Sequence, residues 1–306
     1  MRINPLPEKS TGAPNQRLAG VVVLYNPNYS VLANILTYSE WLDWLAIIDN
    51  SESPFGDVIS AIRHLPNAQY LGSRGNMGIA KALNLAANLA NDSGFRWLLT
   101  MDQDSRFERG CLDAMINLTH LNTPIGIISP RHLISGTSMR AFSSPWSIAS
   151  HVMMSGNLLN LEAYSKAGPF LEKLFIDYVD FEYCLRLRKF GYFILQSNVS
   201  GLTHQLGDLK LQKVLGIPLQ PTHHSPLRKY YIARNRLYVM KTYPNFILID
   251  AWAFLKEIAK TILLEKNKLE SLSHTFQGTI DFLRGRFGPH PDSNSEASIK
   301  RATRTS

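Results

Sequence analysis

Cysteine is almost missing from this 306-residue chain: Cys111 and Cys184 are the two present, far apart and each inside a helix-like pattern. That excludes a disulfide-stapled scaffold and favours a reducing compartment. Long apolar runs are missing too. The best stretch, Phe246–Leu255, is interrupted by Asp250 and falls short of the roughly 18 uncharged residues a spanning helix needs. The first residues (MRINPLPEKSTGAPNQR) are polar and proline-bearing with no apolar core, so a secretory signal is not expected. No internal repeat and no nucleic-acid-binding module is visible. These absences predict a cytoplasmic protein, soluble or peripheral on the inner face of the cell membrane, that does not bind nucleic acid.

What is present is globular. With 45% hydrophobic and 18% charged residues, the chain can bury one large α/β domain with an appendage, or two modest domains. The net charge of +8 is uneven: from Ser225 onward there are 14 Lys/Arg against 7 Asp/Glu, whereas the preceding 224 residues carry 18 against 17. A basic C-terminal quarter can face an acidic membrane or a diphosphate, or simply form a solvated helical face.

Along the first 200 residues short apolar strands alternate with helices. Strands are expected at Ala19–Tyr25, Ala46–Asp49, Gln69–Gly72, Trp97–Met101 and Ile125–Ser129, and helices at Tyr29–Trp44 and Gly78–Ala90. This alternation predicts an α/β fold with a mainly parallel central sheet covered by helices on both faces, and ligands beyond the carboxyl ends of its strands. Further on, Val152–Leu159 reads as a strand, Glu162–Ala167 and Val179–Phe190 as helices, Tyr192–Gln196 as a strand and Gln205–Ser225 as a long functional loop. Arg228–Thr242 and Phe246–Leu269 read as C-terminal helices. The second has a broad apolar face of Leu248, Trp252, Leu255, Ile258 and Ile262 that suits either interfacial docking or packing on the core.

Several constellations carry chemistry. Met101-Asp102-Gln103-Asp104-Ser105 closes the fourth strand, and two carboxylates one residue apart can both reach a hard cation, Mg²⁺ or Mn²⁺, that would offset charge on a nucleotide diphosphate. An ordinary polar turn is the competing reading. Asp49, ending the second strand, can accept the imide N–H of a uracil or thymine, or simply cap a turn. Gly72-Ser73-Arg74-Gly75-Asn76-Met77-Gly78, followed by Lys81, lets backbone N–H groups approach phosphate at a helix N-terminus, though it matches neither a Walker A loop nor a dinucleotide fingerprint. Asp177, Asp180 and Glu182 precede or open a helix, where one can act as general base and another as cap. His204 can complete a metal shell beside Asp102 and Asp104. Arg228 and Arg234 can contact diphosphate or merely coat a helix.

Taken in order, VVVLYNP at 21–27, IIDNS at 47–51, GNMGIAKALN at 75–84, MDQDS at 101–105, MSGNL at 154–158 and DYVDFEYCLRLRKFGY at 177–192 resemble the family-2 glycosyltransferases of GT-A fold, above all the bacterial O-antigen rhamnosyltransferases. The resemblance runs from about Gly20 to Tyr243. It implies a Rossmann-like GT-A domain in which Tyr25, Asp49 and Lys81 hold a pyrimidine nucleotide, with Arg74, Asn76 and Gly78 nearby. Asp102 would approach ribose or metal, Asp104 would be the principal metal ligand and His204 a third. It places the base at Asp180, with Asp177 as competitor because Val179 stands where the family has glutamate. Ser155 and Gly156 would border the acceptor pocket. The implied reaction inverts the sugar carbon, with dTDP-rhamnose as donor and a lipid-linked glycan as acceptor, alongside peripheral contact with an anionic membrane. Two rivals share parts of this pattern: a nucleotidyltransferase, and a non-catalytic nucleotide- or carbohydrate-binding protein. The expected partition is a flexible segment 1–18, a catalytic domain 19–225 with halves meeting near residue 130, C-terminal helices over 226–287 and a disordered tail 288–306.

Overall fold

β-branched and aliphatic residues over 18–24 build an interior strand of the sheet. In the computed structural model, residues 17–53, 56–72, 75–133, 142–204, 212–214, 217–219, 224–265 and 267–291 are described. They pack as two compact units, one within Met1–Phe170 and Tyr183–Gln205, the other within Leu171–Glu182 and Leu206–Ser306. The partition expected from sequence, with one catalytic domain through residue 225, thus differs: Leu171–Glu182 packs with the C-terminal helices.

The first unit holds β1 (Leu18–Leu24), α1 (Ser30–Ile35), β2 (Trp44–Asp49), α2 (Gly56–Arg63), β3 (Ala68–Gly72), α3 (Ile79–Asp92), β4 (Trp97–Asp102), β5 (Ser105–Phe107), α4 (Cys111–Leu118), β6 (Ile125–Leu133), β7 (Trp146–Ile148), β8 (Asn157–Asn160), α5 (Leu161–Ala167) and β9 (Phe193–His204). The sheet order is β3-β2-β1-β4-β8-β6-β9-β5, with β7 also on β9. Pairs β1–β2, β1–β4, β2–β3 and β6–β9 are parallel, whereas β8 lies antiparallel to β4 and β6, and β5 and β7 antiparallel to β9. The sheet is therefore mixed. Its parallel half, β3-β2-β1-β4, matches expectation, because β1, β2 and β4 are apolar runs buried along their length. Gly20 lets Leu42 pack close on β1, since a Cβ there would lie 2.4 Å from Leu42 Cδ1 and make that side chain shift.

Local differences have local causes. The expected helix over Tyr29–Trp44 is α1 followed by a 3₁₀ turn at Ser39–Trp41 and then the start of β2. The expected strand Val152–Leu159 is confined to β8, because Gly156 (φ 84°) turns the chain just before it. The long loop expected over 205–225 includes a small antiparallel pair, β10 (Gln212–Val214) and β11 (Ile217–Leu219).

The second unit holds that pair and α7 (Pro226–Thr242), α8 (Ile247–Leu264) and α9 (Lys268–Leu283), and it opens the helix α6 (Val179–Lys189) at residues 179–182. Ser225 caps α7 by accepting from the Arg228 N–H, with Pro226 at the first helical position. α9 lies against α7 at Gly278, where any Cβ would collide with the Tyr230 carbonyl. The expected Phe246–Leu269 helix is thus two helices. The expected tail starts too early: Gly288 N–H donates to Lys173 O at 2.8 Å, and His290 is buried with its N–H on Tyr231 Oη. Residues 292–306 lie outside the described residues. No helix among the described residues is long and apolar enough to cross a membrane.

Candidate active site

Strand register gathers the first candidate residues. Asp49 is paired with Leu24 on one side and Gly72 on the other, while Asp102 is paired with Val23. Asp49, Asp102, Tyr25 (next after β1) and the turn into α3 therefore share one carboxyl edge, the edge at which open α/β sheets bind ligands. Asp49 is fully buried. Its Oδ2 accepts from Tyr70 Oη at 2.8 Å and its Oδ1 from the Ser51 N–H at 2.9 Å. Burial and the Asp49 carboxylate push the Tyr70 phenol far up, so it stays a donor. Asn76 Oδ1 accepts the Gly78 N–H at 2.9 Å and Asn50 Nδ2 donates to Gly78 O at 3.3 Å, fixing the turn at a glycine with φ 81°. Lys81 stands exposed in the first turn of α3. Arg74 lies outside the described residues. Asn84, further along, is taken up by Phe170 and Tyr164 and belongs to the core.

The Asp102–Asp104 turn is held by a residue to which sequence reasoning gave no role. Gln103 Oε1 accepts the Tyr25 N–H at 2.8 Å and its Nε2 donates to Tyr25 O at 3.0 Å, while Asn34 Nδ2 donates to Gln103 O at 2.9 Å. A side-chain amide thus completes the ladder between β1 and β4 beyond their last paired residues, with the flanking carboxylates half-buried. Ser155 is buried and its Oγ accepts the Asp102 N–H at 3.0 Å. Gly156 packs where a Cβ would meet Pro130 Cγ at 2.7 Å. Ser155, expected at an acceptor pocket, thus also supports the acidic turn, and Gly156 packs beside it. Burial, and secondarily the Asp102 charge, raise the Tyr38 phenol far above its ordinary value, keeping it neutral beneath the turn.

Hard oxygen donors on one rigid, partly open turn fit Mg²⁺ or Mn²⁺. The backbone adds a third position: β5 pairs Ser105 with His204, so His204 lies across the ladder from the residue after Asp104. Among the described residues no group of three or more His, Cys, Asp or Glu side chains is already gathered as a metal shell.

The other candidates lie in the second unit. Asp177 is engaged in a two-pronged ion pair with Arg228, from Nε at 3.0 Å and Nη2 at 2.9 Å. Arg228 thereby turns two of its nitrogens to a carboxylate while its side chain stays half exposed. Arg234 is buried, with Nη1 on Gly288 O at 2.8 Å, Nη2 on Leu174 O at 3.1 Å and Nε on Asn235 Oδ1 at 3.0 Å. Burial and these internal acceptors overturn its expected diphosphate contact: Arg234 holds the fold. Asp180, in the first turn of α6, takes the Phe181 N–H at 2.8 Å and lines a cleft of about 440 Å³ with Tyr178, Phe181, His224, Lys256 and Lys260. Glu182 is buried and accepts from Tyr243 Oη at 2.8 Å.

The segment before Asp180 is strained. Phe175 (φ 66°, ψ −65°) forms a γ-turn closed by Ile176 N–H on Leu174 O, and Asp177 and Tyr178 are left-handed at φ 59° and 63°. Asn235, fully buried on α7, points its Nδ2 at the carbonyls of Leu174, Ile176 and Asp177, at 2.8, 2.8 and 3.0 Å. Nothing in the sequence sets Asn235 apart between its two arginine neighbours, Arg234 and Arg236. Its burial, in a helix whose residues at 229–236 are all buried, is visible only in the structure.

No protein-family model matches the chain. Among solved structures, residues 1–349 of S. aureus TarS in complex with UDP-GlcNAc superpose with a TM-score of 0.55 at 13% identity, covering 88% of this chain and 81% of that one. The fold is GT-A. A second GT-A structure, GalNAc-T7 with UDP, GalNAc and Mn²⁺, gives a TM-score of 0.56 at 12% identity over 88% of this chain and 56% of that one, so this chain spans little more than half of that length. In sequence, the dTDP-rhamnosyl transferase RfbF of Shigella flexneri is 27% identical over 296 residues, covering 90% of this chain and 98% of that protein. The likeness to GT-A glycosyltransferases read from the motifs thus extends over most of the chain, in sequence and in fold.

Proposed function

We propose that this protein is an inverting glycosyltransferase that moves L-rhamnose from dTDP-L-rhamnose onto a lipid-linked oligosaccharide, in the building of O-antigen or a related polysaccharide. The observation that carries the reading is the common sheet edge of Tyr25, Asp49 and the Asp102–Asp104 turn in a GT-A fold. The dTDP-rhamnose assignment is supported by the likeness to RfbF over almost its whole length, and a nucleotide-sugar donor by the TarS neighbour that carries UDP-GlcNAc.

In this reading Asp49, Tyr25 and Lys81 bind the pyrimidine nucleoside, with the turn at Asn76–Gly78 beside its phosphates. Asp104, Asp102 and His204 would hold Mg²⁺ or Mn²⁺, which when bound neutralises charge on the diphosphate; a structural neighbour is solved with Mn²⁺. Asp180 accepts the proton of the acceptor hydroxyl. The bond from that oxygen to the anomeric carbon forms as the bond from carbon to the diphosphate oxygen breaks. The electron pair leaves on dTDP, and configuration inverts. Asp180 is favoured over Asp177 because it opens α6 at the wall of the cleft, whereas Asp177 is paired with Arg228.

Offering dTDP-, UDP- and GDP-sugars with Mg²⁺ or Mn²⁺ tests the proposal. dTDP-rhamnose should be consumed fastest, and Asp104→Asn should lower consumption at least about a hundredfold if the metal supplies several kcal/mol. Consumption of another sugar nucleotide alone removes the rhamnose assignment. Release of pyrophosphate from a nucleoside triphosphate removes the transferase reading.

A further inference from the structure

Helix α8 is amphipathic with its sides reversed. The row turned toward α7 is polar: Asp250 and Glu257 face Arg236 at 3.8 and 2.8 Å, and Thr261 accepts from Lys229 Nζ at 2.7 Å. Glu265, just past the helix, takes the same ammonium at 2.5 Å. The row turned to solvent is apolar: Trp252, Leu255, Ile262 and Leu263 are 61%, 58%, 46% and 68% exposed, spaced so that they share one helical stripe. Lys256, exposed and with its Nζ 5.1 Å from the Trp252 ring centroid, and the half-exposed Lys260 stand where the stripe borders the Asp180 cleft, and among the described residues neither forms an ion pair. Every carboxylate of α8 thus faces inward, and its outward face keeps only apolar groups and positive charge.

An exposed apolar stripe of this kind marks an interaction surface. We propose that the outward face of α8 lies flat on an anionic lipid bilayer, with Trp252 at headgroup depth, Leu255, Ile262 and Leu263 below it, and the two lysines on lipid phosphates. Charge complementarity selects this occupant. A second copy packed on the same face would bring like lysines together, whereas anionic headgroups neutralise them, and the chain from Ser225 onward has twice as many basic as acidic residues. The helix carries too much charge to span the bilayer, which leaves an interfacial position. The inference deepens the functional proposal and rests on its lipid-linked acceptor, which such docking would bring within reach.

Flotation of the full-length protein with lipid vesicles tests it. Wild type should float with an equal mixture of phosphatidylcholine and phosphatidylglycerol, stay down with phosphatidylcholine alone, and be released by high salt. Leu255→Glu with Leu263→Glu, both at solvent-exposed positions, should stay in solution with either vesicle while transferring sugar to a detergent-free, water-soluble acceptor at the wild-type rate. Substituting either lysine by glutamine should weaken binding roughly fivefold, the equivalent of ~1 kcal/mol per basic residue at an anionic surface. The proposal is overturned if wild type ignores anionic vesicles, or if the double variant floats as wild type does. A wild-type dimer that the double variant turns into a monomer, with no vesicle binding, assigns the face to self-association instead. Flotation needs neither donor nor turnover, so its failure leaves the transferase reading intact, and a failed donor assay leaves a positive flotation result standing.

Discussion

Asn235→Ala probes the segment that presents Asp180. Three residues of 175–178 occupy left-handed backbone without being glycine, at ~1–2 kcal/mol each, so the turn needs roughly 3–6 kcal/mol from its surroundings. The Asn235 amide has two hydrogens for three carbonyls at 2.8, 2.8 and 3.0 Å, equivalent to about two hydrogen bonds or ~2 kcal/mol. Truncation removes these bonds from the Ile176 and Asp177 carbonyls, while Leu174 O keeps Arg234 Nη2 and the Ile176 N–H. We expect a loss of about 2–4 kcal/mol, read as a fall in Tm of about 4–16 °C for a chain of this size. Asn235→Asp, equal in shape but aiming an acceptor at the same carbonyls, should lose at least as much. Because Asp180 follows Tyr178 by two residues, kcat for transfer should fall at least about tenfold, while calorimetric affinity for the donor nucleotide, proposed to bind at the Asp49 edge, stays constant. In an Asp180→Asn background the same alanine change should cost little further rate, since the two act as one device. An unchanged Tm, or full multiplicative loss in the Asp180→Asn background, would refute the clamp.

Gln103→Ala should remove both bonds to the Tyr25 backbone, ~2 kcal/mol in all; the expected readout is roughly tenfold weaker binding of the donor nucleotide by calorimetry, and unchanged affinity would show that the turn is set by other contacts. Gly156→Ala forces a side chain into φ 84° and against Pro130, at a cost of about 1–3 kcal/mol. The denaturation midpoint should drop with its slope unchanged, and a midpoint equal to wild type would contradict the packing described at Pro130.

The edge that carries Asp49 and Asp102 was legible in sequence because its signals are local. A strand buried on both faces is a continuous apolar run, and Asp49 and Asp102 each close such a run. The antiparallel members were not legible: β5 is three residues long and β8 four, too short for periodicity, and their pairing with β9 and β4 is long-range. Residue roles fared by the same rule. Asp102 and Asp104 announce themselves by spacing, whereas Gln103 acts through Tyr25, 78 positions away. Arg234 was misread because an arginine's charge is visible in sequence but its acceptors, the carbonyls of Leu174 and Gly288, are not.

Helix α8 shows why periodicity alone leaves orientation open. The 3.6-residue pattern establishes that Trp252, Leu255 and Ile262 share a side, and says nothing about which way that side faces. The buried cations of α7 decide it. Leaving Arg236 and Lys229 without Glu257, Asp250 and Glu265 would cost about 3–5 kcal/mol for each cation. Exposing half of four large apolar side chains costs roughly 3–6 kcal/mol in water. The polar side wins by a few kcal/mol, and contact with an apolar phase would recover much of what the outward side gives up. On that account, replacing Lys229 and Arg236 together by methionine should remove the demand for inward carboxylates. It should also weaken vesicle flotation, as α8 becomes free to turn its apolar row toward α7.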